Sequence, residues 1–318
     1  MSLHAPFAQS DIVRLDRAIW GLIALTAALL VPLSLIKGFY PVWKSFALPG
    51  ASTAILVIGA WFYAHIRASE RIASALQGTA QIIAFAAVGA PYSYVVASLG
   101  WPLQDHALNA IDIASGINWR ALLDWMNQHP ALHPIFREAY MSFTPQASIA
   151  VLVLAFSGRL AWLRIFLLSF IVAALLCITI SAFIPALGAW GYLGITPADH
   201  PNINPASQST TVDIVMMLRN GTLREIVAMG AEGIVTFPSL HAALAVILIA
   251  AFWPVPILRW AGLTINLLML ASTPIDGAHY FIDIFAGIAL GIVALKVAFY
   301  VGYPSAAAFR QPAVKIAE

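Results

Sequence analysis

The sequence predicts an all-α, polytopic membrane protein built as a bundle of about eight transmembrane helices. Two observations lead to this fold class. The 318-residue chain is 61% hydrophobic and 9% charged, whereas soluble domains carry about 25% charged residues. Its apolar runs also repeatedly reach the ~20 residues that are needed to cross a bilayer, a length that a globular helical protein does not require.

The candidate spans follow one another along the whole chain. The second is short, and the fourth opens with polar residues, so these two match the transmembrane pattern least well. No small-residue cleavage site follows the first run, so we expect a retained helix rather than a signal peptide. The eight segments cover residues 18–36, 51–66, 76–99, 138–157, 162–184, 238–254, 257–274 and 279–301.

The distribution of Lys and Arg predicts the orientation of these spans. With eight spans, nine basic residues fall in the termini and short loops of one side, and six fall on the other side. Because cytoplasmic loops are enriched in Lys and Arg, we expect both termini in the cytoplasm. The sequence therefore predicts a multi-pass protein of the cell (inner) membrane.

Two longer polar stretches then lie outside the cell. The first, residues 100–137, carries Trp119, Leu122, Leu123 and Met126 at helical spacing, which predicts an amphipathic helix on the membrane surface. The second, residues 185–237, predicts a loop followed by a short helix that flanks a site. We divide the chain into N-terminal transmembrane helices (1–100) and a second membrane domain (101–318).

Composition excludes some partners. The formal net charge of +2 is too small to indicate nucleic-acid binding. The single cysteine, Cys177, cannot form an intramolecular disulfide. No pattern in the sequence indicates an oligomeric state.

Two short motifs near the C-terminus carry the chemistry. Residues 237–241 read Phe-Pro-Ser-Leu-His, and residues 277–283 read Gly-Ala-His-Tyr-Phe-Ile-Asp. An aspartate inside an apolar membrane segment is a candidate functional residue, since its burial is costly. Asp283 follows His279 by four residues, so a helix places the two side chains on one face.

The spacing of the spans places both histidines on the same side of the membrane. Eighteen residues separate His241 from Arg259 and twenty separate Arg259 from His279, which correspond to about 27 and 30 Å of helix. The chain therefore crosses after His241, turns near Pro254 and Pro256, and returns to begin the last helix near His279. In the predicted topology both histidines lie at the outer face.

Each histidine also begins a helix, where free amides and the helix dipole favour an anion such as phosphate. We expect Pro238 in the first turn, with the amides of Ser239, Leu240 and His241 available and the Ser239 hydroxyl beside them. A neutral imidazole held by Asp283 can attack phosphorus, and a second, protonated histidine can supply a proton to the leaving alkoxide.

At these motifs the chain resembles the type 2 phosphatidic acid phosphatase superfamily. The His-Tyr-x-x-Asp form of residues 279–283, preceded by Ser272-Thr273, is most similar to the branch with inositol phosphorylceramide synthase and sphingomyelin synthases. The resemblance implies a six-helix catalytic core, with His279 as nucleophile, Asp283 orienting it and His241 as general acid. It also implies a phosphohistidine intermediate, no metal or other cofactor, and membrane lipids as donor and as one kind of acceptor.

The chain departs from the superfamily pattern in its cationic residues. The first motif, a Lys followed by Arg-Pro, is absent, and Ser272-Thr273 stands where Ser-Arg often opens the third motif. A cation should still neutralise charge on the transferred phosphoryl group. We expect Arg219 and Arg224, which precede the second motif, to bind phosphate together with Ser239.

Three alternatives stay open on the sequence alone. With water as acceptor the enzyme is a lipid phosphatase, and with an alcohol it is a phosphotransferase such as an inositolphosphotransferase. An intramembrane serine protease would use Ser239, which lacks a glycine-rich nucleophile turn. A transporter or haem-binding protein would use His241 and His279 as ligands.

Overall fold

The computed structural model describes residues 8–196, 198–207, 209–228 and 233–303. Within these ranges the protein is almost entirely α-helical, and its only strands, β1 (Tyr40–Pro41) and β2 (Glu225–Ile226), pair in parallel. Residues 1–7 and 304–318, which contain both predicted cytoplasmic ends, lie outside the described residues. The helices are α1 (Gln9–Lys37), α2 (Trp43–His65), α3 (Glu70–Ala97), α4 (Asp105–Ala114), α5 (Trp119–Asn127), α6 (His133–Met141), α7 (Phe143–Phe156), α8 (Leu160–Phe183), α9 (Ala189–Leu193), α10 (Ser209–Asn220), α11 (Leu240–Phe252), α12 (Pro256–Asp276) and α13 (Phe281–Gly302).

Every predicted span contains a helix, but the helices differ in their ability to cross a bilayer. Five described helices, α1, α2, α3, α8 and α13, are long and apolar enough to span a membrane. Helices α6 and α7 meet at a bend of 48° and make a sixth span if they act together. Helix α11 has 13 residues, about 20 Å of rise, and is therefore shorter than the hydrocarbon core.

Helices α8 and α11 lie at the centre of the bundle. Helix α8 packs against α1, α3, α11 and α13, and most of its side chains are buried. Arg164 of α8 donates from Nε to Oδ1 of Asp16 at 2.9 Å, and Gln81 donates to the same oxygen at 2.9 Å. A cation inside a helical membrane bundle needs such a partner. The polar link therefore ties α1 and α3 to α8.

Short helices cover the end of the bundle at which α13 begins. The predicted amphipathic helix is present as α5, and its apolar residues Trp119, Leu123 and Met126 are buried. The sequence placed this face on the membrane surface. In the structure it packs instead in an apolar cluster with Trp190, Tyr280 and other protein residues. The apolar face of α5 thus holds the start of α13 in place.

The two ends of the described chain meet at the opposite end of the bundle. Arg14 donates from Nε to the carbonyl of Val301 at 2.6 Å and from Nη2 to the carbonyl of Gly302 at 3.0 Å. A cation at a helix C-terminus satisfies its free carbonyls. The beginning of α1 and the end of α13 therefore share one side of the protein, and the beginning of α13 lies on the other.

Candidate active site

The second motif forms the N-terminus of α11. Ser239 is the N-cap residue, and its hydroxyl accepts a hydrogen bond from the amide of Ala242 at 3.3 Å. The helix begins at Leu240, so Pro238 precedes the helix and does not occupy its first turn as the sequence suggested. Ser239 is completely buried. Its position as a buried cap leaves the serine protease alternative without structural support.

The third motif forms the N-terminus of α13 and its preceding turn. His279 Nδ1 lies 3.2 Å from Asp283 Oδ2, so the predicted contact is present. His279 precedes the helix, however, and does not share a helix face with Asp283 as the sequence suggested. The same carboxylate oxygen accepts a hydrogen bond from the Tyr280 amide at 2.9 Å. Both His279 and Asp283 are almost fully buried. Asp283 therefore caps the helix and orients the imidazole.

Close packing of α11 on α13 joins the two motifs. The Ser239 amide donates to the Asp283 carbonyl at 3.0 Å. A side-chain carbon at Gly287 would collide with the Ser239 carbonyl oxygen, and one at Gly291 would lie 2.6 Å from the Ala243 carbonyl oxygen. Gly287 and Gly291 therefore form a pair of small residues at which α11 approaches α13 closely.

Tyr140 lies beside both histidines: a side-chain carbon at Gly277 would be 2.8 Å from the Tyr140 hydroxyl and 2.6 Å from Cδ2 of His279, and the Tyr140 ring contacts His241. His241 is half-buried and stacks on the ring of Tyr140, with centroids 3.9 Å apart and planes inclined by 19°. The edge of Phe143 also faces the His241 ring at 5.7 Å. The contacts with Tyr140 of α6 and Phe143 of α7 therefore restrict the orientation of this imidazole.

Burial determines the protonation states of His279 and Tyr280 in the third motif. It lowers the pKa of the His279 imidazole to about 4, against an opposing hydrogen bond with the Thr236 carbonyl. At neutral pH His279 is therefore unprotonated, as a nucleophile requires. Burial, followed by the charge of Asp105, raises the pKa of the Tyr280 phenol. Tyr280 accordingly stays protonated and donates to Asp105 Oδ1 at 3.0 Å.

The amides at the start of α13 are already occupied. The Asp112 carboxylate accepts hydrogen bonds from the amides of Phe281 (2.8 Å) and Ile282 (3.1 Å). The Ser239 amide is likewise used, as described above. The expectation that both helix N-termini present free amides to an anion is therefore wrong for α13 and for Ser239. For α13 the reason is a carboxylate of α4, and for Ser239 it is the Asp283 carbonyl; the local sequence reveals neither contact.

The two predicted phosphate-binding arginines make different contacts. Arg219 donates to the Trp101 carbonyl at 2.8 Å and lines a small cavity that also includes Thr236. Arg224 donates to the carbonyl of Leu218 at 2.7 Å and lies over the ring of Phe39 at 4.9 Å. Only Arg219 thus borders a residue that interacts with His279. A phosphate-binding role for Ser239, Arg219 and Arg224 stays a prediction.

Helix α6 contributes residues that the sequence analysis did not select. His133, Arg137 and Tyr140 are spaced to lie on one helix face. The face packs against the end of α12, where His133 Nε2 lies 3.3 Å from Asp276 Oδ1. The spacing of these three residues within the segment 133–141 was the only local signal.

In the described ranges, no group of three or more His, Cys, Asp or Glu side chains is arranged to hold a metal ion. Metal independence stays an expectation from the resemblance.

Comparison with known proteins places this arrangement in a family. A family model described as the PAP2 superfamily matches residues 106–297, more than half of the chain. No curated protein and no solved structure shows a significant match. The chain belongs to the PAP2 superfamily, and this membership supports a lipid phosphatase or phosphotransferase activity.

Proposed function

We propose that this protein is a membrane lipid phosphotransferase or phosphatase that works through a phosphohistidine at His279. The observation that carries the proposal is the buried His279–Asp283 pair, 3.2 Å apart, with Tyr140 next to it and His241 stacked on the Tyr140 ring. A nucleophile oriented by a carboxylate, with a second histidine nearby, is the arrangement that covalent catalysis at phosphorus needs.

In the first half-reaction Nε2 of His279 attacks phosphorus in the donor lipid. The bond between phosphorus and the leaving alcohol oxygen breaks, and its electron pair stays on that oxygen. His241 supplies the proton that completes the leaving alcohol. A bound phosphate group places negative charge between the two rings, and this charge stabilises a protonated His241. Asp283 stabilises the positive charge that develops on His279.

In the second half-reaction a hydroxyl oxygen attacks the phosphorus on His279. The phosphorus–nitrogen bond breaks, its electron pair returns to the imidazole, and His241 takes the proton of the hydroxyl. Water as acceptor completes hydrolysis, and an alcohol completes transfer. The His-Tyr-x-x-Asp form of the third motif supports the branch with inositol phosphorylceramide synthase and sphingomyelin synthases, and therefore transfer. Nine of the Lys and Arg residues lie on the side of the predicted topology that carries both termini, which is the expected cytoplasmic side. This excess supports an active site at the opposite, extracytoplasmic face.

Arg219 is the better supported of the two cationic residues. Its Nη1 atom is buried without a hydrogen-bond partner in the described ranges, and its side chain borders the cavity near Thr236. Arg224 uses Nη1 on two backbone carbonyls, those of Leu218 and Leu223. We therefore assign phosphate binding first to Arg219, and we assign Arg224 the positioning of the segment between α10 and the second motif.

Product analysis tests the proposal. Purified full-length protein is incubated with fluorescent short-chain phospholipids of different headgroups, with and without myo-inositol, glycerol or diacylglycerol. We expect release of the donor alcohol in every productive reaction and loss of at least 1,000-fold in His279→Ala, since removal of a nucleophile costs about 4 kcal/mol or more. His106→Gln, an exposed histidine on α4, is the matched control. Full turnover by His279→Ala would refute the nucleophile assignment.

A further inference from the structure

A second histidine–aspartate pair lies beside the catalytic pair. His133 is the first residue of α6 and Asp276 is the last residue of α12, and Nε2 and Oδ1 approach to 3.3 Å. Their exposed fractions are only 4% and 0%. Burying two ionisable groups is costly unless they are paired and hydrogen-bonded.

The described residues leave this pair incompletely hydrogen-bonded. The Ala206 amide interacts with the Asp276 carboxylate. Neither carboxylate oxygen, however, nor Nε2 of His133 has a hydrogen-bond partner of good geometry among the described residues. Buried polar atoms are mostly hydrogen-bonded, and exceptions need an explanation. A hydroxyl group, which both donates and accepts, is suited to such a pair.

The pair borders the space occupied by His279. Gly277 follows Asp276, and a side-chain carbon at this position would lie 2.8 Å from the Tyr140 hydroxyl and 2.6 Å from Cδ2 of His279. Tyr140 lies two helical turns after His133, on the same face of α6, and its ring stacks on His241. Asp276, His279, Tyr140 and His241 are therefore neighbours in one cluster.

Arg137 completes this face of α6. It lies one turn after His133 and interacts electrostatically with both His133 and Asp276. Its ion pair with Glu138 is long, 3.9 Å, and Glu138 is 79% exposed. Burial raises the pKa of Asp276 to about 7, and the Ala206 amide and the positive charge of Arg137 oppose this shift.

We propose that His133 and Asp276 bind the hydroxyl group of the acceptor that receives the phosphoryl-containing group from His279. Asp276 accepts a hydrogen bond from the acceptor hydroxyl, and His133 holds the carboxylate in place. The inference rests on the proposed function and deepens it, because it assigns an acceptor site. Holding an alcohol oxygen near phosphorus raises its effective concentration over that of water. The pair therefore favours transfer over hydrolysis.

Partitioning of the phosphoenzyme tests this assignment. The ratio of transfer product to hydrolysis product is measured with glycerol and myo-inositol, as polyol acceptors, and with a short-chain diacylglycerol, as a lipid acceptor. We expect Asp276→Asn and His133→Asn to lower this ratio roughly tenfold, the effect of one lost hydrogen bond of ~1.4 kcal/mol. The acceptor concentration at half-saturation should rise, and the acceptor that responds most identifies the source of the hydroxyl.

Controls separate this inference from the proposed function. His106→Gln and Asp213→Asn change exposed residues of the same types and should keep the wild-type ratio. The double variant should lose little more than either single variant, because the two residues act as a unit. A wild-type ratio in a folded His133→Asn or Asp276→Asn variant, or exclusive hydrolysis by the wild type, overturns the acceptor site alone. Absence of donor-alcohol release in a single wild-type turnover overturns both proposals.

Discussion

The backbone amide of Ser239 donates a hydrogen bond to the backbone carbonyl of Asp283 at 3.0 Å. This bond joins the helix that carries His241 to the helix that His279 precedes. It forms because α13 has glycine at position 287, where a side chain would overlap the Ser239 carbonyl oxygen. Convergence of the two histidines therefore depends on backbone contact between α11 and α13, and not on side-chain pairing alone.

Gly287→Ala should disrupt the site. The added methyl group would meet the Ser239 carbonyl oxygen and would lie 2.9 Å from Cβ of Ala242, so the helices must separate. Overpacking of this kind costs about 1–3 kcal/mol, and we expect a lower melting temperature and at least a tenfold lower turnover. Gly21→Ala in α1, where an added carbon has no neighbour within 4 Å, should keep both. Normal turnover by a folded Gly287→Ala would contradict the packing argument.

Tyr140 should act through its ring. The ring stacks on His241 with centroids 3.9 Å apart, so Tyr140→Phe preserves the contact and Tyr140→Leu removes it. An aromatic pair contributes about 0.5–1.5 kcal/mol beyond area burial. We therefore expect Tyr140→Leu to have a kcat roughly 2- to 10-fold below that of Tyr140→Phe. Equal losses in the two variants would assign the effect to the hydroxyl group instead.

Asp112 should stabilise the start of α13. Its carboxylate accepts from the amides of Phe281 and Ile282 and from the indole of Trp119 at 3.2 Å. Leaving a buried donor unpaired costs about 1–3 kcal/mol. Melting temperatures should therefore decrease from wild type to Asp112→Asn, which keeps one acceptor oxygen, and further to Asp112→Leu. A melting temperature of Asp112→Leu equal to that of the wild type would contradict this role.

Stability should depend on pH through His279. The folded pKa is about 4 because the imidazole is buried, whereas the unfolded pKa is about 6.5. As pH falls through this window, the unfolded state binds a proton that the folded state does not. The free energy of unfolding therefore decreases by ~1.4 kcal/mol per pH unit. We expect the melting temperature of the wild type to fall, relative to His279→Asn, between pH 7 and pH 5. A difference that is constant with pH would show that His279 titrates normally.

The sequence was informative where the signal is local. Each predicted span contains a helix, but only five of the described helices, or six with the bent α6–α7 pair, are long and apolar enough to cross a membrane. The four-residue interval between His279 and Asp283 predicted a contact that the structure contains. Helix lengths also placed His241 and His279 at the same end of the bundle. The common location of the two histidines was predictable because helix rise is fixed by backbone geometry. The His279–Asp283 contact forms for a different reason than the predicted one, since His279 precedes α13 and contacts Asp283 where that carboxylate caps the helix.

Contacts between residues that are far apart in the sequence could not be predicted in the same way. Asp105 reaches Tyr280 across 175 positions, and Asp112 reaches Phe281 across 169. No periodicity relates α4 to α13, so the occupied amides at the third motif were not predicted. The apolar face of α5 has the same pattern whether it meets lipid or protein, and tertiary packing alone decides between them. His133, Tyr140 and Asp276 were missed for the same reason.

The central claim is that His279 becomes covalently bonded to phosphorus during turnover. Rapid quenching of the enzyme with a ³²P-labelled donor lipid, followed by peptide mapping under alkaline conditions, tests it directly. We predict a labelled adduct on the peptide that contains His279, formed before product and absent from His279→Ala. Label on a different residue, or steady turnover with no labelled protein at any quench time, would contradict the account.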